Sequence, residues 1–94
     1  MQVVGTRVLE AYARSHADIT SALVAWLTIT TAAEWRSLID VRRTYPAADF
    51  VKPYTVFNIK GNSYRMVTVI DYSLRLLRVC QVMTHNEYHK DKWK

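Results

Sequence analysis

Six residues in the last third of the chain can do chemistry together: Lys60, Arg65, Arg78, His85, Tyr88 and Lys90. They form the inventory that phosphodiester cleavage by a neighbouring 2′-hydroxyl requires. That reaction needs a base for the hydroxyl proton, an acid for the leaving 5′-oxygen and cationic donors for the charge gathered between them. Arginine suits the last role because its planar fork matches phosphate oxygens. Histidine and tyrosine both transfer protons, and the residues alone leave open which is acid and which is base. The same inventory is generic to many basic proteins.

Other chemistries fare worse. His85 and His89 are four apart and would share a helix face, a spacing that can hold zinc. The string His85-Asn86-Glu87-Tyr88-His89 is not His-Glu-x-x-His, and no third ligand is evident, so no metal site is expected. Gly5 and Gly61 are the only glycines, too few for a phosphate-cradling loop, and no Gly-x-Ser-x-Gly occurs. No cofactor is therefore expected. Cys80 has no disulfide partner, lies in an apolar stretch and reads as core filler rather than nucleophile.

The chain has 94 residues and a formal net charge of +5. Residues 60–94 hold seven Lys or Arg against three acids, whereas residues 1–59 hold six against five. The positive field is thus concentrated where the candidate residues lie, which suits a polyanion. Half the residues are hydrophobic, enough for one core, so a single domain over residues 1–94 is expected. Met1 to Ala13 lacks the apolar run of a signal peptide, and Ala22 to Ala33 is too short to span a bilayer. With the lone cysteine, these features point to a cytoplasmic protein without membrane attachment.

Helical elements come first. Gln2-Val3-Val4 can be a short strand, Gly5-Thr6 a turn and N-cap, and Arg7 to Arg14 a helix. Ser15 is expected to cap a second helix, in which Ile19, Ala22, Leu23, Trp26, Leu27 and Thr30 recur on one side, the pattern of an amphipathic helix packed on a core. Thr31-Ala32-Ala33-Glu34 has the spacing of a capping box for a third helical piece carrying Trp35 and Leu38, with Ser37 or Asp40 as a restart and Pro46 as the stop. The period then changes. Tyr54 to Ile59, Tyr64 to Asp71 and Arg75 to Met83 read as consecutive strands joined by short turns, an antiparallel meander. The fold class is α+β, with N-terminal helices on one face of a C-terminal antiparallel sheet. Arg65 and Arg78 interrupt apolar strands and are expected on the other face.

The segments Val56-Phe57-Asn58-Ile59-Lys60-Gly61-Asn62-Ser63-Tyr64-Arg65 and Val82-Met83-Thr84-His85-Asn86-Glu87-Tyr88 together resemble the HigB-type toxins of type II toxin–antitoxin modules. Trp26, Glu34-Trp35 and Tyr45-Pro46-Ala47-Ala48-Asp49 resemble that family at similar spacing, so the likeness runs through nearly the whole chain. The family resembles the wider RelE-like ribonucleases. The resemblance implies a RelE-like fold and a metal-independent endoribonuclease, an mRNA interferase that cuts mRNA, often on the ribosome, and so inhibits translation. It also implies a cognate helix-turn-helix, HigA-like antitoxin. Carried over residue by residue, it makes Arg65, His85 and Tyr88 catalytic, and on this enzyme reading Lys60, Arg78 and Lys90 are expected to bind the RNA backbone. The chain departs from the RelE pattern in having Val56 and Asn58 where two strand lysines are usual, which leaves the division of acid and base open.

Two other functions compete. A basic module that blocks RNA or the ribosome without cutting fits the charge equally well. A DNA-binding regulator fits poorly, because no helix carries a basic recognition face behind a tight glycine turn.

Overall fold

The computed structural model describes residues 1–90 and residue 93. A short strand, β1 (Gln2–Val4), leads into α1 (Thr6–Ser15), a single 3-10 turn (Ala17–Ile19), α2 (Thr20–Ala32) and α3 (Leu38–Thr44). Four strands follow: β2 (Asp49–Val51), β3 (Tyr54–Ile59), β4 (Tyr64–Asp71) and β5 (Leu76–Thr84). A five-residue helix, α4 (His85–His89), completes the order. The strands form one sheet in the order β1-β5-β4-β3-β2. β2 to β5 pair antiparallel, and β1 adds to β5 in parallel. The expected meander is present, and β1 makes the whole sheet mixed. β2, which sequence periodicity did not mark, extends it on the other side.

The helices cover one sheet face. Phe57 on β3 and Met66 on β4 are opposite each other and fully buried, as are Ile19 and Val41 from the helical layer. Trp26 of α2 meets the Phe57 ring edge-on at 5.5 Å, and Trp35 stacks on it at 6.0 Å. This core explains the fate of the Thr31–Glu34 segment. Thr31 lies in the last turn of α2, its hydroxyl donating to the Leu27 carbonyl at 2.9 Å, so it caps nothing. Ala33 is extended, and the helix does not resume until α3 behind Ser37. Burying Trp35 at 4% exposure against Phe57 overrides the local capping pattern. Ser15 likewise ends α1 rather than starting α2. The outer face of α2 mixes polar and apolar residues, with Val24 and Ile29 exposed beside Ser21, Thr28 and Thr31.

The opposite sheet face has its own small cluster, Val56, Val67 and Met83, with Tyr54, Cys80, Tyr88 and Trp93 packed on it. A bulge makes this possible. Val67 is opposite Gln81 and Thr68 is opposite Val79, so Cys80 is the extra residue on β5. Leu77, Val79 and Val82 consequently all reach the helix-side core, while Met83 reaches the other face. Cys80 is therefore half-exposed on the outer face and not part of the main core, although burial still pushes its thiol pKa up.

Gly5 fixes the start of α1 against β5. Its φ is +84°, and a Cβ there would lie 2.6 Å from the Val79 carbonyl oxygen. Neither the dihedral nor the space suits a side chain. Gly5→Ala is expected to cost about 1–3 kcal/mol for the left-handed backbone alone. That should lower the thermal midpoint by roughly 10 °C in a domain of this size. A midpoint within 2 °C of the wild-type value (about the scatter of replicate melts) would show that α1 is not docked this way.

Candidate active site

Arg65 lies on β4, between Asn58 of β3 and Met83 of β5, and so faces away from the helices. It is only 8% exposed. A buried guanidinium must find acceptors, because an unpaired buried charge costs several kcal/mol. The turn between β3 and β4 supplies most of them. Lys60 and Gly61 adopt left-handed conformations that reverse the chain and bring Asn62 back over Arg65. Nη1 donates to the Asn62 and Tyr64 carbonyls at 3.3 and 3.1 Å, and Nη2 donates to Asn62 Oδ1 at 2.6 Å. The remaining Nη2 hydrogen meets His85 Nδ1 at 2.9 Å. All four terminal N–H bonds are thus directed at protein acceptors.

His85 is delivered by a capping box. Thr84 ends β5, its hydroxyl accepting from the Glu87 amide at 3.2 Å, while the Glu87 carboxylate accepts from the Thr84 amide at 2.9 Å. The His85 amide donates to the Ser63 carbonyl at 3.0 Å, tying α4 to the turn that holds Arg65. These bonds hold the Glu87 carboxyl below its usual pKa. One turn later Tyr88 brings its ring within 5.7 Å of the Arg65 guanidinium carbon, and His89 stands 4.2 Å from His85 between ring centroids.

The Arg65–His85 contact decides a tautomer. Arginine has donors only, so Nδ1 of His85 must offer its lone pair and the proton must sit on Nε2. Burial lowers the His85 pKa first, with the charges of His89 and Arg65 adding to it. The imidazole is neutral at rest, with an N–H pointing away from Arg65. A metal held jointly by His85 and His89 would have to displace Arg65 or reverse this tautomer. The pair supplies two ligands where a catalytic zinc needs three, and no group of three or more His, Cys, Asp or Glu is found among the described residues.

The structure brings together Arg65, His85 and Tyr88 but disperses the other three expected residues. Lys60 reaches the helix layer, its Nζ donating to Asp18 at 2.9 Å beside the Tyr64 hydroxyl, which donates to the same carboxylate. This pairing holds the Asp18 carboxyl low and pushes the Lys60 ammonium up. Arg78 shares the outer face but lies opposite Val69, four residues along β4 from Arg65 and so about 13 Å away. Lys90 caps the end of α4 and lines a groove with Gln81, Glu87 and Trp93. Sequence reasoning missed Asn62, the principal holder of Arg65, and the Thr84–Glu87 capping box. The box was visible as a Thr-x-x-Glu pattern, the same one wrongly favoured at Thr31–Glu34. Asn62 stood in the Gly61-Asn62 turn of the segment that carries the family likeness, but nothing in its type or spacing marked it as the holder of Arg65.

The His85 imidazole should titrate below the ordinary histidine range in an NMR titration of its ring resonances. Because the folded value is depressed, the stability it contributes is present above the ordinary value of 6.5 and is lost as pH falls through the lowered one. Arg65→Gln should move the His85 value part of the way back up, burial and His89 retaining the rest. An unchanged titration in that variant would rule out the Arg65 contact.

Comparison with protein families adds an independent result. The family described as HigB toxin, a RelE-like toxic component of a toxin–antitoxin system, matches residues 19–91. No relative is found among curated proteins. No described helix is long and apolar enough to cross a membrane. The family match spans α2 through α4, including the turn that holds Arg65 and the box that delivers His85, and implies an antitoxin partner. The chain belongs to the HigB toxin family, the RelE-like toxic components of toxin–antitoxin systems.

Proposed function

We propose that this toxin is an endoribonuclease acting on mRNA, at the ribosome, to stop translation, and that a HigA-like helix-turn-helix antitoxin neutralises it in the cytoplasm. The observation that carries the proposal is the 8%-exposed Arg65 guanidinium bonded to His85 Nδ1 beside the Tyr88 ring. A buried cation next to two proton-transfer groups is what a phosphorane intermediate needs and what a plain surface arginine does not provide.

The 2′-oxygen attacks the adjacent phosphorus, forming one O–P bond, and the bond from phosphorus to the 5′-oxygen breaks. The products are a 2′,3′-cyclic phosphate and a 5′-hydroxyl. The incoming phosphate competes with His85 for the exchangeable Arg65 N–H, while Asn62 keeps hold of the guanidinium. Once Arg65 turns to phosphate, His85 Nδ1 is released, and the new negative charge offsets the Arg65 charge that adds to burial in depressing the imidazole. His85 then takes up a proton and donates from Nε2 to the leaving 5′-oxygen. Tyr88 relays the 2′-hydroxyl proton, its own phenolic proton passing to solvent as it accepts, which balances the proton that His85 draws from solvent. This division assigns the acid to the residue whose resting tautomer already carries an outward N–H.

Expression without antitoxin should arrest growth, and new transcript 5′ ends should appear inside coding regions. Arg65→Ala and His85→Ala should each lower cleavage by about two to three orders of magnitude, the cost of one charge-stabilising donor, and relieve the arrest. Arrest with intact transcripts would favour the non-catalytic RNA- or ribosome-binding module. Full toxicity of both stably folded variants would refute the site.

A further inference from the structure

The outer sheet face continues beyond the catalytic cluster in a way the proposed chemistry does not use. Tyr54 on β3 meets the Trp93 ring at 5.6 Å, and Trp93 lies nearly parallel to Tyr88 at 5.1 Å and 19°. The Trp93 indole N–H donates to the Tyr88 carbonyl, and the Trp93 carbonyl accepts from Gln81, so the ring is fixed over the Val56, Val67 and Met83 cluster. Both Tyr54 and Trp93 remain half-exposed. Arg65 stands at one end of this row. Arg78, exposed on the same face, is two strand repeats further along, level with Val69 and hence with Tyr54. Two acids lie on that face: Asp49 at the edge strand, with its carboxylate turned back on the Phe50 amide, and Asp71 at the end of β4, whose carboxylate accepts from the Ser73 hydroxyl and the Leu74 amide.

We propose that Tyr54 and Trp93 form a stacking shelf for unpaired RNA bases next to the Arg65 centre, with Arg78 as a distal phosphate contact. Aromatic rings flanked by cations are the sequence-tolerant way to hold a single strand, since every base has a π face. A duplex keeps its bases stacked on each other and cannot use the shelf. The inference rests on the proposed RNA cleavage but predicts something separate from it: selection for single-stranded substrate by residues outside the reacting cluster.

The test uses the full chain and short oligonucleotides blocked at the 2′ position, so that no cleavage intervenes. Trp26 and Trp35 are buried at 2% and 4% exposure, so quenching of tryptophan emission reports chiefly on Trp93. A single strand should quench it and the matching duplex should not. Anisotropy of a labelled strand should show roughly tenfold weaker binding for each of Tyr54→Leu and Trp93→Leu, the loss of one base–aromatic stack. Leucine keeps apolar cover over the cluster, and thermal melts check the fold. If Trp93→Leu does not fold, Tyr54→Leu carries the test. Arg78→Gln should reduce the salt slope of binding by about one phosphate contact. Equal binding of strand and duplex, or wild-type affinity in the leucine variants, overturns the shelf. Cleavage of unblocked RNA with unchanged KM in those variants would also sink the shelf while leaving the nuclease intact. Strand-selective binding without any cleavage would do the reverse.

Discussion

The working end of this molecule is arranged around one buried charge. Arg65 sits in the middle of a strand at 8% exposure, where a guanidinium survives only with its N–H groups satisfied. Satisfying it takes a turn that folds Asn62 back over the strand and a helix that brings His85 to the other side. Three of its four terminal bonds go to the turn and the backbone, and one goes to a titratable ring. Three bonds hold the cation in place, and in the mechanism we propose the fourth is the one exchanged for a phosphate oxygen.

The rest of the fold serves this arrangement from a distance. The helices bury the far side of the sheet through Trp26, Trp35 and Phe57, which stiffens β3 and β4 beneath the site. The Cys80 bulge changes which side of β5 faces the core, so that Val82 can reach the helices while Met83 lies beside Arg65. Strict alternation from Val79 onward would point both of them to the wrong layer. The Asp18–Lys60–Tyr64 cluster pins the same turn to the helical layer from beneath. The turn that holds Arg65 is therefore anchored from both faces of the sheet.

Much of this was legible in the sequence where a pattern had a single physical cause. The change of period after Pro46, the three consecutive strands and the placement of Arg65, His85 and Tyr88 near one another all followed from residue types, spacing and family likeness. The failures have physical reasons. Thr31–Glu34 and Thr84–Glu87 share one capping pattern, and only tertiary packing decides between them. In the first case Trp35 must leave the helix to reach Phe57. In the second, the strand ends and nothing competes. The opening strand Gln2–Val4 was read correctly, whereas β2 is three residues long and is defined only by its pairing with β3, which leaves no periodicity to read. Lys60 and Arg78 carry the same charge as Arg65, but the Asp18 ion pair draws Lys60 to the helical layer and four residues along the sheet separate Arg78 from Arg65.

The Arg65–His85 pair, we propose, serves attack by the RNA's own 2′-oxygen. The most direct measurement is the mass of the upstream fragment released when the purified protein cuts a defined RNA, on ribosomes if these are needed for cutting. A 3′ end carrying a 2′,3′-cyclic phosphate, or the 3′-phosphate formed when that ring opens, paired with a 5′-hydroxyl downstream, is the predicted result. A 3′-hydroxyl with a 5′-phosphate downstream would mean that water rather than the 2′-oxygen is the nucleophile, and would contradict it.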